Sequence, residues 1–194
     1  MSTITIITGP MFSGKTTELQ RLFSREQIAN RKSIFFKPII DNRYSNKEVV
    51  NHNGQKVNAI NISTSKDILL KVNEYLDSEE QKNEPLTNVF IDEVQFFDSD
   101  VIDIIHKIID LDINVFCSGL NQTFEGKPFP FKDKKEHIGT LMALSDFIIH
   151  LNAVCNKCGG VATKTYRLGS NKETVVIGGI DKYQARCTKC FNEN

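Results

Sequence analysis

The residues Gly9-Pro10-Met11-Phe12-Ser13-Gly14-Lys15-Thr16 fit G-x-x-x-x-G-K-[ST] at every fixed position. Glycines at both ends let the backbone curl until successive N–H groups point inward, at a helix N-terminus that already favours anions. Lys15 then supplies a point charge for outer phosphates, and the Thr16 hydroxyl suits Mg²⁺. With glycine near 7% of residues in ordinary proteins, a chance match in a chain this long arises on the order of 1 time in 100. A second apolar run, Val89-Phe90-Ile91, ends in Asp92-Glu93. Side chains alternate along a strand, so two adjoining carboxylates diverge unless the strand breaks, and that lets them take separate tasks. Asp92 suits the metal or its water shell. Glu93 is left to act as a base toward a hydroxyl nucleophile.

Four of the five cysteines form two C-x-x-C pairs, Cys155/Cys158 and Cys187/Cys190, separated by residues 159–186. Four thiolates complete tetrahedral Zn²⁺ and leave no open position for a substrate, so this zinc is expected to be structural. The segment around them is too short to build much core, and a metal would supply what apolar burial cannot. A Gly-Gly loop at Gly178-Gly179 and the nearby Tyr183 offer exposed backbone and an aromatic lid. Cys117, inside an apolar run, reads as a small core residue.

These groups need a scaffold to bring them together. Ile4–Thr8 reads as a buried strand and Thr17–Ala29 as a helix with Leu19, Leu22, Phe23 and Ile28 on one face. Ser33–Phe36 is a strand that Lys37-Pro38 ends. The polar stretch from Asp41 through Gly54 reads either as a mobile loop that brings Arg43 toward phosphates or as a plain connector. Val57–Ile62 forms a strand, and Ser65 or Asp67 caps a helix carrying Ile68, Leu69, Val72, Tyr75 and Leu76. Asp98 or Ser99 caps an isoleucine-rich helix whose His106 is a packing or surface residue. Ile113–Ser118 is a strand, His137–Leu144 a short helix and Phe147–Leu151 a final strand. Between them, Gly119 to Phe131 carries Leu120, Phe124, Phe129 and Phe131, either as the wall of a site for a planar ligand or as core. Alternating strands and helices imply a parallel sheet with helices on both faces and right-handed crossovers. Ligands of such a sheet lie beyond the carboxyl ends of its strands.

The chain has 194 residues, 40% of them hydrophobic and 25% charged, which suits one α/β domain and a small appendage. We place the α/β nucleotide-binding domain at 1–151 and the zinc-binding lobe at 152–194. Lys plus Arg equals Asp plus Glu at 24 each, so there is no overall positive field for a nucleic-acid backbone. No apolar run reaches the length of a membrane span. The expected setting is cytoplasmic, with partners among small molecules and neither nucleic acid nor membrane among them.

The chain resembles the cellular-type (type II) thymidine kinases over nearly its whole length. The resemblance rests on Gly9 to Thr16, Asp92-Glu93-Val94-Gln95-Phe96-Phe97, Thr123 to Phe129, both C-x-x-C pairs and Ile177-Gly178-Gly179-Ile180-Asp181-Lys182-Tyr183. It implies a P-loop NTPase-like α/β core with a zinc lobe, and transfer of the γ-phosphate of ATP to the 5′-hydroxyl of thymidine with Glu93 as base. It puts Gln95 with Gly9, Pro10, Met11, Phe12, Ser13, Gly14, Lys15, Thr16 and Asp92 on the phosphate side, Thr16 and Asp92 at Mg²⁺, and Asp41 and Arg43 as a charged pair near the nucleotide. It lines the nucleoside pocket with Met11, Leu120, Phe124 and Phe129, sets Thr165 against the base, and holds thymine by a lasso of Thr174, Val175, Val176, Ile177 and Gly178 with Tyr183 nearby. It further implies a homotetramer, feedback by dTTP and a place in pyrimidine salvage. Backbone recognition of the O2, N3–H and O4 edge would also admit deoxyuridine and reject cytosine, which leaves donors facing donors.

Two departures stand out. Asn121 and Gln122 occupy positions where relatives often carry an acidic residue, and Pro130-Phe131 replaces a small residue expected after Phe129. Two other classes remain as rivals: an ATPase that grips DNA with its zinc ribbon, which the neutral charge disfavours, and a nucleotide-binding regulator without chemistry, which has no use for Glu93.

Overall fold

The first strand, β1 (Ile4–Gly9), is buried along its whole length, and α1 (Lys15–Ile28) leaves it through the glycine-rich turn. The computed structural model describes residues 1–39, 48–50, 56–169 and 181–193, and for 48–50, 56 and 57 the backbone only. Next come β2 (Lys32–Pro38), β3 (Glu48–Val50), β4 (Lys56–Asn58), β5 (Ile60–Ile62), α2 (Ser65–Leu76), α3 (Glu80–Asn83) and β6 (Leu86–Ile91). A 3₁₀ turn at Val94–Phe96, α4 (Val101–Ile109), β7 (Asn114–Leu120), α5 (Ile138–Leu144) and β8 (Phe147–His150) complete the main body. The second lobe holds β9 (Ala153–Val154), β10 (Val161–Ala162), β11 (Lys164–Arg167), β12 (Tyr183–Arg186) and α6 (Thr188–Asn192).

Among the described residues the main sheet has six strands in the order β5-β2-β6-β7-β1-β8, and every pair in it is parallel. A parallel sheet must be covered on both faces, and the alternation along its strands does this. Ile6, Phe36, Ile91 and Cys117 point into one buried cluster with α2, α4 and α5. Their neighbours Ile7, Phe35 and Phe90 point into the other, under Leu19 and Phe23 of α1. There the Phe23 ring stands edge-on to Phe35 at 5.5 Å and to Phe90 at 5.1 Å, while Phe90 and Phe116 stack at 4.6 Å. The aromatic layer fixes α1, and with it the helix start that follows the glycine-rich turn.

Several sequence expectations change in detail. Ile28 is 83% exposed; it lies five residues past Phe23, about 140° further round a helix of 3.6 residues per turn. The strand expected at 57–62 is two: β4 pairs antiparallel with β3, and β5 pairs parallel with β2. Pro38 lies within β2 instead of beyond it, because the next N–H, that of Ile39, carries the bond to Ile62 O. The α2 cap is Thr64, whose N–H and hydroxyl both reach Asp67 Oδ2 at 3.0 Å. Neither Asp98 nor Ser99 caps α4: Asp98 accepts the Ser65 hydroxyl at 2.5 Å, and Ser99 donates to Asp133 at 2.7 Å. No helix among the described residues is long and apolar enough to cross a membrane.

Candidate active site

Three adjacent strands deliver the polar groups to one edge: β1 the glycine-rich turn, β6 the carboxylates, and β7, lying between them, Ser118. Gly9 ends β1 where a Cβ would sit 2.2 Å from the carbonyl oxygen of Leu151, so a side chain there would push the turn off the sheet. Gly14 closes the turn in the left-handed region at φ 83° and precedes the first residue of α1. Inside the turn, Pro10 O accepts from Ser13 Oγ at 2.9 Å and from Lys15 Nζ at 2.8 Å. Lys15 is 8% exposed. Burial pulls its ammonium below the usual lysine range, against the opposing attraction of Glu93 and Asp92. A phosphate would give that cation a charged acceptor in place of a carbonyl.

Asp92 is buried and heavily bonded. Ser118 Oγ donates a short hydrogen bond to Oδ1, Thr16 Oγ1 donates at 3.1 Å to Oδ2, and the Glu93 N–H donates at 3.0 Å to Oδ1. Burial, then the charge of Glu93, still pushes Asp92 up to about 7. The donor set fits a hard dication: neighbouring oxygens in an octahedral Mg²⁺ shell lie about 2.9 Å apart, close to the separation of Thr16 Oγ1 and Asp92 Oδ2.

Glu93 takes the left-handed conformation, φ 49° and ψ 45°. That costs a non-glycine residue about 1–2 kcal/mol, and it breaks the strand. Asp92 N–H still bonds Phe36 O at 2.9 Å, while the Glu93 side chain leaves the alternation and its Oε2 accepts Gln95 Nε2 at 2.5 Å. One carboxylate is thus bonded to Thr16 and the other to Gln95, while the charge of each still reaches Lys15.

The loop after β7 divides its aromatics. Phe129 and Phe131 join the main core, with Phe96 edge-on to Phe129 at 5.9 Å. Leu120 and Phe124 stay half-buried. Over Phe124 lies the guanidinium of Arg167 at 3.7 Å, whose Nη2 donates to the Tyr183 hydroxyl at 2.7 Å. The phosphate turn itself touches the second lobe, because Met11 N–H donates to Thr165 Oγ1 at 2.9 Å. Met11, Leu120, Phe124, Thr165 and Tyr183 therefore all sit on elements meeting along this seam. Asp41, Arg43, Thr174, Val175, Val176, Ile177 and Gly178 lie outside the described residues.

In the second lobe the four sulfur atoms of Cys155, Cys158, Cys187 and Cys190 lie within 4.8 Å of one another, with Cys158 and Cys187 at 3.8 Å. Zn–S bonds of about 2.3 Å set tetrahedral edges of about 3.8 Å, so the cluster fits zinc with small adjustments. Backbone N–H groups, that of Cys187 first, hold the Cys155 thiol down, at about 6, while the hydrogen bond with Cys187 and then burial push Cys190 up to about 12, so a cation is needed before all four sulfurs can be thiolates together. Sequence reasoning passed over Ser118, Gln95 as a partner of Glu93, and Arg167. A polar residue inside an otherwise apolar strand, Ser118 in β7, and an amide two residues after Glu93, Gln95 on the 3₁₀ turn, were the available signals for the first two.

A family model described as thymidine kinase matches residues 2–191. A thymidine kinase of Pseudothermotoga lettingae is 39% identical over 191 residues, covering 98% of this chain and 95% of that protein. A solved structure, the cytoplasmic domain of the Thermomonospora curvata Type VII secretion ATPase EccC, aligns at 7% identity with a TM-score of 0.45. The alignment takes in 96% of this chain but only 24% of that one, and so loose a likeness carries no weight.

Proposed function

The chain belongs to the thymidine kinase family, and from that premise we propose how its residues divide the work of transferring the γ-phosphate of ATP to the 5′-hydroxyl of thymidine. The backbone N–H groups at the Phe12–Thr16 end of the glycine-rich turn and the Lys15 ammonium hold the phosphates. Thr16 and Asp92 would hold Mg²⁺, which when bound neutralises charge on the β- and γ-phosphates. Glu93 accepts the 5′-hydroxyl proton as O5′ bonds the γ-phosphorus. The bond from that phosphorus to the β,γ-bridging oxygen breaks, and ADP leaves with the electron pair. Phe124, Leu120 and Met11 flank the nucleoside with Phe129 behind them in the core, Thr165 meets the base, and the lasso Thr174–Gly178 with Tyr183 encloses it.

One observation carries this reading: the left-handed turn at Glu93 frees one carboxylate while Thr16 and Ser118 hold the other. A silent nucleotide sensor has no need of that separation; an ATPase could turn the same base on water, and the absence of an overall positive charge argues against its gripping DNA. Glu93→Gln is expected to keep ATP and thymidine binding in calorimetry and to lower kcat by about 10²-fold or more; near-normal turnover would reject Glu93 as base. The same assay run with thymidine, deoxyuridine, deoxycytidine and single-stranded DNA separates the rivals. Deoxyuridine is expected to turn over, deoxycytidine is not, and DNA stimulation without nucleoside phosphorylation would favour the ATPase.

The finer expectations belong to the same proposal. Residues 1–151 form the catalytic domain and 152–194 a lobe clipped by structural zinc. The edge strand β8 exposes Phe147 and Ile148 on its two faces, and Leu144 at the end of α5 is exposed as well; this apolar edge suits self-association and supports a homotetramer. A dTTP molecule, carrying thymine and a triphosphate tail, would bridge both subsites and inhibit. The cytoplasm, where pyrimidine nucleosides are salvaged, is the setting we assign.

A further inference from the structure

Gln95 is 1% exposed, and both ends of its amide are engaged. Its Oε1 accepts the Leu120 N–H at 3.2 Å, and its Nε2 donates to Glu93 Oε2 at 2.5 Å. A backbone N–H can only donate, so the bond from Leu120 fixes which end of the amide faces which neighbour. The NH₂ must point at Glu93. The last residues of β7 are shaped to admit this amide: a Cβ on Gly119 would lie 2.5 Å from Gln95 Oε1, 2.8 Å from Ile138 Cδ1 and 3.1 Å from Val94 Cγ1. Gly119 leaves the space that Gln95 occupies.

We propose that Gln95 is a positioning residue for the transfer reaction, a strut that ties the Glu93 carboxylate to the end of β7. This rests on the reading of Glu93 as the base. Glu93 sits in a strained backbone conformation on a short 3₁₀ turn, where its side chain would otherwise rotate freely. The amide holds Oε2 through a charge-assisted hydrogen bond and leaves the other carboxylate oxygen, to which no hydrogen bond runs among the described residues, for the sugar hydroxyl. With both amide ends engaged in this way, Gln95 serves the base and not the nucleotide.

The test is a double-mutant cycle on the full chain, with kcat, KM for ATP and KM for thymidine measured for Gln95→Met, Glu93→Gln and the pair. Gln95→Met fills the same space without donating. It is expected to lower kcat about 10-fold or more, the scale of a misplaced catalytic group, with both KM values within about two-fold. In the Glu93→Gln background the same change should alter kcat by less than about two-fold, because the group it positions is already gone. Gly119→Ala leaves Gln95 intact but displaces its amide, so it should repeat the pattern and carry the test if Gln95→Met fails to fold. Equal losses in both backgrounds, or a raised KM for ATP with kcat unchanged, would overturn the assignment while Glu93 stood. Normal turnover in Glu93→Gln alone would remove the base, and Gln95's role with it.

Discussion

Behind Lys15, Thr16 and Asp92 stands a cluster that includes Ile6, Phe36, Ile91, Ile105 and Val115, with a second layer of phenylalanines on the opposite face. Behind the four cysteines stand Ala153, Ala162 and Ala185. The two regions hold a few polar atoms still by different means. A buried Phe or Ile contributes roughly 1.5–3 kcal/mol relative to exposure, whereas an alanine methyl offers about 0.8 kcal/mol, too little to order β9 to β12. Val154 and Val161, which might have thickened the lobe, are 71% and 65% exposed. The edge carrying Lys15, Thr16 and Asp92 therefore rests on the sheet, whereas the cysteine lobe, with Phe12 packed against its small core, rests on the zinc we propose for it.

Removing the metal is the strongest way to break that contrast, since structural zinc contributes about 10–16 kcal/mol in small zinc modules. Purified protein is expected to carry one zinc per chain. On chelation, amide exchange in residues 153–167 and 183–193 should rise toward that of an unfolded chain while β1, β6 and β7 keep their protection. The thymidine KM should rise at least about 10-fold, because the segment proposed to hold the nucleoside lies in sequence between β11 and β12 of this lobe. Unchanged protection in the lobe, or no bound zinc, would show that the small core suffices after all.

A second prediction sharpens the other half of the comparison, because the strong region carries a charge conflict at its edge. Asp92 is pushed up to about 7, by burial first and by Glu93 second, against about 3.9 in an unfolded chain. Between those values the folded protein keeps a proton that the unfolded chain has released. The stability linked to Asp92 is thus fully present below about pH 4 and is lost as pH rises toward 7. Asp92→Asn cannot titrate, so without Mg²⁺ its Tm should fall less than that of the parent between pH 4.5 and 8 and should exceed it at pH 8. Adding Mg²⁺ at pH 8 should raise the parent and leave the variant unmoved, while turnover is lost in the variant. Parallel melting curves across that range would remove the conflict we assign to this carboxylate.

The groups to which we assign chemistry were legible because their spacing lies within contiguous sequence: the turn from Gly9 to Thr16, Asp92-Glu93 and the cysteine pairs. The apolar runs of β1, β6 and β7 were legible for the same reason. What escaped depends on neighbours distant in the chain. Asp98 reaches across to Ser65, Ser118 finds Asp92 only because β7 lies beside β6, and the strand at 57–62 divides because β3 takes one half and β2 the other. Phe129 and Phe131 read equally as pocket wall or core, since an aromatic residue in a loop has no period to reveal which way it turns. Gln95 was visible as a letter in a motif, but its partner, the N–H of Leu120, belongs to another strand.

The smallest expected effect lies at the seam between the two regions, where Thr165 Oγ1 accepts the Met11 N–H at 2.9 Å. Met11 belongs to the glycine-rich turn and Thr165, 5% exposed, to the cysteine lobe, so under the proposed assignment this bond links the donor half to the acceptor half. Thr165→Val keeps the shape and removes the acceptor. A net hydrogen bond is worth about 0.5–1.5 kcal/mol, and about 1 kcal/mol corresponds to roughly five-fold in affinity. Thymidine binding should weaken by about that factor, and the gain in thymidine affinity that a non-hydrolysable ATP analogue produces should shrink, because the turn would no longer bias the lobe. Thr165→Ser retains the hydroxyl and should bind as the parent does. If Val and Ser variants gave the same thymidine affinity with and without the analogue, the two regions would act independently, and the seam would be a packing contact alone.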